Sequence, residues 1–162
     1  MKSAALIYAA AMLGIALAQT ATKPQLSLQS FLVITETKDG RSTERFEAAN
    51  SAKPGQTLEY RVIAQNDTAA AVSKLVMDLP IPRSTQYIDG SATLNAAVAV
   101  FTVSADGKRL FAVPPLKRNV VKDGKTTVET IPATEYTNLR WTVKSALEVK
   151  TRLEFKARVK VK

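Results

Sequence analysis

Apolar and polar side chains alternate along most of this sequence, and that alternation most limits the folds open to it. In residues 58–65 the even-numbered side chains are apolar, whereas Glu59, Arg61 and Gln65 are polar. Successive side chains of a β-strand point to opposite faces, so a period of two indicates a half-buried strand. We therefore expect the even-numbered set to face a core, and Glu59, Arg61 and Gln65 to face water.

Tight turns are predicted between these alternating runs. Four Asp-Gly pairs occur along the chain, at Asp39-Gly40, Asp89-Gly90, Asp106-Gly107 and Asp123-Gly124. Glycine accepts a positive φ without a Cβ clash and aspartate tolerates the left-handed region, so such pairs favour hairpin turns. None belongs to the D-x-D-x-D-G pattern, with a glutamate behind it, that marks a calcium loop.

The runs between the turns predict an all-β fold of about eight to nine antiparallel strands, as in a sandwich or barrel. They are residues 27–37, 41–49, 58–66, 72–79, 96–103, 108–113, 126–131, 139–144 and 150–162. No segment sustains the helical period of about 3.6 residues, although the Ala-rich stretches 68–73 and 92–99 are locally ambiguous.

Residues 1–18 have the three parts of a secretory signal peptide. Lys2 supplies a positive start, residues 4–17 are apolar, and Ala16-Leu17-Ala18 is a small-x-small cleavage site. A membrane anchor is the alternative, but a spanning helix needs roughly 20 apolar residues, and this run is shorter. We expect cleavage after Ala18, a linker at 19–25, a single domain at 26–162, and export to the periplasm, cell envelope or extracellular surface.

The chain contains no cysteine and no histidine. It therefore lacks a thiol nucleophile, a thiolate metal site, a disulfide framework and the commonest general base. Ser-His-Asp, Cys-His and HExxH arrangements are impossible. A carboxylate pair stays open, because two acids can meet in space without any local pattern. We expect a protein that is not an enzyme and binds no cofactor.

The balance of charge is basic. The chain has 23 Lys and Arg against 14 Asp and Glu, a net charge of +9, which loss of Lys2 lowers to +8. Basic proteins associate with polyanions, and outside the cytoplasm these include lipopolysaccharide, acidic glycans and acidic surface proteins. Alternatively, the charge keeps a β-rich domain soluble.

The C-terminal run, residues 150–162, alternates most clearly. Its odd-numbered positions are mostly apolar, while the even-numbered positions carry six cations, namely Lys150, Arg152, Lys156, Arg158, Lys160 and Lys162. A strand with this pattern can pack on a core with one face and present a ladder of positive charge with the other. These six are the candidate contacts for an acidic partner or polyanion. In the alternative interpretation, the lysines protect an edge strand from aggregation.

Three stretches in order resemble the DUF11, or conserved-repeat, family of bacterial surface proteins. Residues 54–66 are similar to that family's P-G-x-x-hydrophobic-x-Y opening strand. Residues 75–82 and 87–91 are similar to its V-x-D-x-L-P turn and Y-x-x-G-S segment, although Asp78-Leu79-Pro80 is one residue short. Residues 139–143 and 151–159 are similar to its tryptophan strand and closing strand, without the usual Pro-Gly or Ala-Gly turn between them. The resemblance implies an immunoglobulin-like β-sandwich at the cell surface and no catalytic residues.

Three single residues could be mistaken for sites. Trp141 lies on the inward phase between Leu139 and Val143, so we expect a core residue rather than a ligand platform. Tyr60 is also inward by phase. Asn66-Asp67-Thr68 matches a glycosylation sequon, but it ends a strand where a turn is expected.

Three functions are compatible with these features. The leading hypothesis is a structural or interaction module of a bacterial cell envelope, docking on a larger acidic assembly such as a surface layer, pilus or outer-membrane complex. The second is an independent binder of lipopolysaccharide, acidic glycan or extracellular DNA. The third is a hydrolase with a carboxylate pair, which a deep pocket lined by two acids would support.

Overall fold

Antiparallel sheets make up most of the chain in a computed structural model, which describes residues 23–93 and 95–162. Among these residues the helical structure is one short 3-10 turn, Ala133–Glu135. The all-β prediction is therefore confirmed. The expected signal peptide and residues 19–22 of the expected linker lie outside the described residues.

Ten strands form three sheets within the residues that the structure describes. The strands are β1 (Gln25–Lys38), β2 (Arg41–Ala48), β3 (Thr57–Gln65), β4 (Val76–Pro80), β5 (Thr85–Tyr87), β6 (Ala99–Ser104), β7 (Lys117–Lys122), β8 (Lys125–Thr130), β9 (Asn138–Val143) and β10 (Arg152–Val161). The larger sheet has the order β2-β1-β3-β10-β5, the smaller sheet has the order β4-β9-β6, and β7 and β8 form a separate hairpin.

The larger and smaller sheets share one hydrophobic core. Met77, Leu139 and Trp141 of the smaller sheet and Val62 and Phe155 of the larger sheet belong to the same buried cluster. The Trp141 ring stacks on the Phe155 ring with their centroids 5.4 Å apart. Burial of these apolar side chains between two sheets is the main force that holds them face to face.

Two of the four Asp-Gly pairs form the expected hairpin turns, whereas Asp89-Gly90 and Asp106-Gly107 lie in the loops after β5 and β6. Both residues of the β1–β2 turn have positive φ, with Asp39 at 51° and Gly40 at 73°. The β7–β8 turn is alike, with Asp123 at 50° and Gly124 at 74°. This backbone matches the right-handed twist of the flanking strands and fixes the register of each hairpin.

One predicted strand is wrong and two strands were not predicted. Residues 108–113 form no strand: Lys108 has φ of 79°, and only Ala112 bridges to Val103 of β6. The Asp106 carboxylate explains the turn, because it accepts hydrogen bonds from the backbone N–H groups of Arg109 and Leu110, each at 3.1 Å. The short strand β5 and strand β7 lie outside every predicted run.

Candidate functional site

Strand β10, which carries most of the candidate cations, lies inside the larger sheet. It pairs with β3 along its length and with β5 at Val159–Val161. The loop that follows β5 covers the neighbouring part of the same edge: Thr93 N–H donates to Lys156 O at 2.8 Å, and Ile88 N–H donates to Arg158 O at 3.0 Å. From Lys156 to Val161 both edges of β10 are hydrogen-bonded, so the edge-strand interpretation is wrong for this part of the run.

The two faces of β10 separate as the alternation predicts. Phe155, Ala157 and Val159 are buried in the core between the sheets. The even-numbered residues project from the opposite side, here called the outer face of the larger sheet. Facing residues of antiparallel strands share a face, so Glu59 and Arg61 of β3, opposite Arg158 and Lys156, lie on the outer face too.

The expectation that Glu59 faces water is wrong. Glu59 points away from the core as predicted, but it is only 4% exposed. Arg61 Nε donates to its Oε1 at 2.9 Å, and Arg158 Nε donates to its Oε2 at 3.1 Å. A buried carboxylate needs such partners, since an unpaired buried charge is costly.

The cover over Glu59 comes from the β1–β2 hairpin. The Arg61 guanidinium lies 4.3 Å from the Phe31 ring centroid and 5.0 Å from that of Phe46. Glu44 of β2 accepts two hydrogen bonds from Arg158, at 2.7 and 2.6 Å. In a flat sheet β2 and β10 would be about 14 Å apart, so this contact requires the hairpin to curve over the outer face.

Four of the six candidate cations form ion pairs within the chain. Arg152 and Lys156 pair with Glu154, at 2.7 and 3.4 Å. Lys150 follows Val149 in a turn before β10 and pairs with Asp67 at 3.4 Å. Arg158 is held by Glu44 and Glu59. The predicted ladder of six charges is therefore reduced to Lys160 and Lys162, which form no ion pair in the described part of the chain.

Two cations from elsewhere approach Lys160 and Lys162 at one end of the larger sheet. Lys162 Nζ donates to Arg83 O at 3.0 Å. On the other side, Gly55 N–H donates to Val161 O at 2.9 Å, which places the turn that follows Lys53 against the end of β10. We call Lys53, Arg83, Lys160 and Lys162 the basic end. All four are exposed, and none forms an ion pair with a described carboxylate.

The sequence did not indicate Lys53 or Arg83 as part of a site. Each lies in a turn far from the C-terminal run in sequence, and only the strand pairing brings them to its end. Because none of its four side chains is ion-paired within the described residues, the basic end presents exposed positive charge.

The ion pairs predict how stability depends on pH. Hydrogen bonds from Arg158 lower the pKa of Glu44, and hydrogen bonds from Arg140 lower the pKa of Asp78. A carboxyl whose folded-state pKa is depressed adds stability above its unfolded pKa, and this is lost as the pH falls through the folded value. We expect the free energy of unfolding to fall from roughly pH 4 downward. In urea titrations over this pH range, Arg140→Gln should weaken the dependence of the unfolding free energy on pH, and Lys160→Gln should leave it unchanged. The same change in unfolding free energy with pH in the wild type and in both variants would contradict this prediction.

Trp141 and Asn66 both have structural roles. Trp141 is 1% exposed and its Nε1–H donates to Thr93 O at 3.0 Å, so the core assignment is confirmed. Tyr60 is half-buried against the same core. Asn66 is fully buried: its amide donates to Leu147 O at 2.8 Å and accepts from Thr68 Oγ1 at 2.7 Å. The turn interpretation is thus confirmed, and in the folded chain the sequon amide is enclosed.

One open groove of about 420 Å³ has two carboxylates in its lining, Asp106 and Glu135. Both are engaged in hydrogen bonds. Ser104 Oγ donates to Asp106 at 2.7 Å and lowers its pKa, and Arg118 donates to Glu135 at 2.7 Å. A general acid needs a raised pKa, which is the opposite of what surrounds Asp106.

The comparisons with known proteins identify no relative. No protein-family model matches the chain, and no curated protein or solved structure is detectably similar to it. Within residues 23–93 and 95–162, no group of three or more acidic side chains is arranged to hold a metal ion. The same residues include no helix with the length and hydrophobicity needed to cross a membrane.

Proposed function

We propose that this chain is an exported, non-catalytic interaction module of a bacterial cell envelope, with an immunoglobulin-like sandwich related to the DUF11 repeats. It docks on a larger acidic assembly, such as a surface layer, pilus or outer-membrane complex, through its basic end. The observation that carries this proposal is the set of four exposed cations, Lys53, Arg83, Lys160 and Lys162, without ion-paired carboxylates.

The distribution of acids supports an external acidic partner. Among the described residues, the carboxylates without an ion pair are Glu148 and the aspartates of the four Asp-Gly turns, Asp39, Asp89, Asp106 and Asp123. Each of the other nine acids forms an ion pair with an Arg or Lys. The excess positive charge is thus held by exposed side chains, where it can attract a partner of opposite sign.

Reversing the charge of the basic end should abolish docking. We expect the Lys160→Glu, Lys162→Glu variant to be lost from native envelope extracts in a pull-down that retains the unmodified protein. The matched control is Lys117→Glu with Lys125→Glu, which changes the net charge equally at two exposed residues of the β7–β8 hairpin. Both variants should keep the wild-type circular dichroism spectrum, since exposed charges contribute little to folding.

Equal retention of both variants would show that the basic end does not carry the docking. Equal loss of both would show that net charge alone matters, which favours the second candidate function, an independent binder of lipopolysaccharide, acidic glycan or extracellular DNA. Binding of the purified protein to isolated polyanion, with an affinity that falls steeply as salt screens the charges, would establish that second function. One stoichiometric protein partner would establish the first.

A further inference from the structure

Strand β2 forms an open edge of the larger sheet. All eight of its residues are exposed, and β1 is its only strand partner in the described chain. The two-residue turn makes Lys38 and Arg41 a facing pair, and Ala49 N–H donates to Ser30 O at 2.9 Å. Hydrogen-bonded pairs alternate along an antiparallel ladder, so the odd-numbered residues of β2 bond to β1. Its even-numbered residues therefore direct their N–H and C=O groups to the open edge.

This edge lacks most of the features that prevent further pairing. Natural edges are protected by proline, charged side chains (lysine above all), bulges or very short strands. The sequence Arg41-Ser-Thr-Glu-Arg-Phe-Glu-Ala48 contains no proline and no lysine. Its register with β1 is unbroken from Ala48 to Arg41, so it has no bulge. Its charges alternate in sign, which permits attraction to a strand of complementary sequence.

We propose that β2 pairs with β2 of a second copy of this chain, antiparallel and with Phe46 facing Phe46 across a two-fold axis. In this register Arg45 of each copy faces Glu47 of the other, so symmetry creates two pairs of opposite charge. Opposite charges directly across a ladder stabilise it, and like charges destabilise it. Both Phe46 residues lie on the same face of the joined sheet, where each ring covers Arg61 of its own chain.

Neighbouring registers are disfavoured by the same residues. Only even-numbered residues present main-chain groups to the edge, so each of them must face an even-numbered residue of the other copy. Permitted registers therefore differ by two residues, and each such change moves the two-fold axis by one residue. An axis at Arg45 places Arg45 opposite itself, and an axis at Glu44 or Glu47 places a glutamate opposite itself. An axis at Thr43 places Arg45 opposite Arg41. The axis at Phe46 is the one position in this central segment that places opposite charges across the ladder and no like charges; Glu44 there faces Ala48.

This self-association is independent of the anionic partner and can be tested with charge exchange. Sedimentation velocity of the chain without residues 1–18, over a concentration series, should show a monomer–dimer equilibrium. Arg45→Glu and Glu47→Arg should each raise the dimer dissociation constant at least about tenfold, because each places like charges opposite one another. Combining the two should restore the dimer. A monomeric wild type, or a double variant no better than the single variants, would overturn the proposal.

A cysteine cross-link tests the register itself, since the chain has no cysteine of its own. Facing residues of a hydrogen-bonded pair have Cα atoms about 5.5 Å apart, within the span of a disulfide. Phe46→Cys should therefore form a covalent dimer when copper–phenanthroline and oxygen are added. Ala48→Cys is the control, because its counterpart would lie roughly 14 Å away. Efficient cross-linking of Ala48→Cys, or none of Phe46→Cys, would contradict this register.

Discussion

Replacing Trp141 with alanine should lower the free energy of unfolding by about 3–5 kcal/mol, the usual cost of removing a large aromatic side chain from a core. Trp141 contacts both sheets: its ring lies 5.4 Å from that of Phe101 in β6 and 5.4 Å from that of Phe155 in β10, measured between centroids. The change leaves a cavity between the sheets. It also leaves Thr93 O without its hydrogen-bond donor. Urea denaturation followed by circular dichroism measures the loss.

Two further variants separate these contributions. Trp141→Phe keeps most of the packing and removes the Nε1–H donor, so it should cost less than the alanine change. Val121→Ala removes apolar atoms from a side chain that is 72% exposed and should change stability little. Wild-type stability of Trp141→Ala would contradict the role of Trp141 as the contact between the sheets.

Arg158→Glu should be the next most damaging of these substitutions, with a loss on the order of 3 kcal/mol. Arg158 donates to Glu44 and to the buried Glu59. Reversal of its charge would place a third carboxylate beside these two and would leave Arg61 as the remaining donor to Glu59. Thermal or urea denaturation at neutral pH measures the effect.

Lys160→Glu is the matched control, because Lys160 lies on the same strand and the same face but is exposed and forms no ion pair among the described residues. We expect it to have nearly wild-type stability. If Arg158→Glu were equally harmless, the hairpin cover over Glu59 would contribute nothing to stability. The contrast also shows why a docking test must avoid Arg158: its loss would weaken the fold as well as any contact.

The period of two predicted the strands that pack on the core. It succeeded where the face on which a side chain lies is enough to decide its burial. Val62, Ala64, Phe155 and Val159 are buried as their phase requires. The strand predicted at residues 108–113 did not form: two cations there precede four apolar residues, and the Asp106 side chain binds the backbone in a turn. Side-chain capping of the backbone competes with strand pairing, and period alone does not reveal which prevails.

The candidate site was less predictable, because its character depends on distant parts of the chain. Phase placed Glu59 on the outer face, but its burial depends on the curvature of the β1–β2 hairpin, which brings Phe46 and Glu44 over β3 and β10. Likewise, the cations of β10 looked like one ladder, but Arg152 and Lys156 pair with Glu154 of the same strand, and Arg158 pairs with Glu44 and Glu59 of two other strands. Lys53 and Arg83 join the site only through turns beside the end of that strand.

The position of β10 in the larger sheet determines when the fold can be completed during synthesis. Its neighbours β3 and β5 are both synthesised earlier, but the position between them in the sheet stays empty until β10 is synthesised. Until β10 has been made, β3 keeps an unpaired edge, β5 has no strand partner, and Trp141 lacks the Phe155 ring on which it stacks. Contacts between residues far apart in sequence form slowly, and incomplete sheets expose apolar surface. A nascent chain that ends before β10 is therefore held in a state prone to aggregation, and β10 converts it to the closed sandwich.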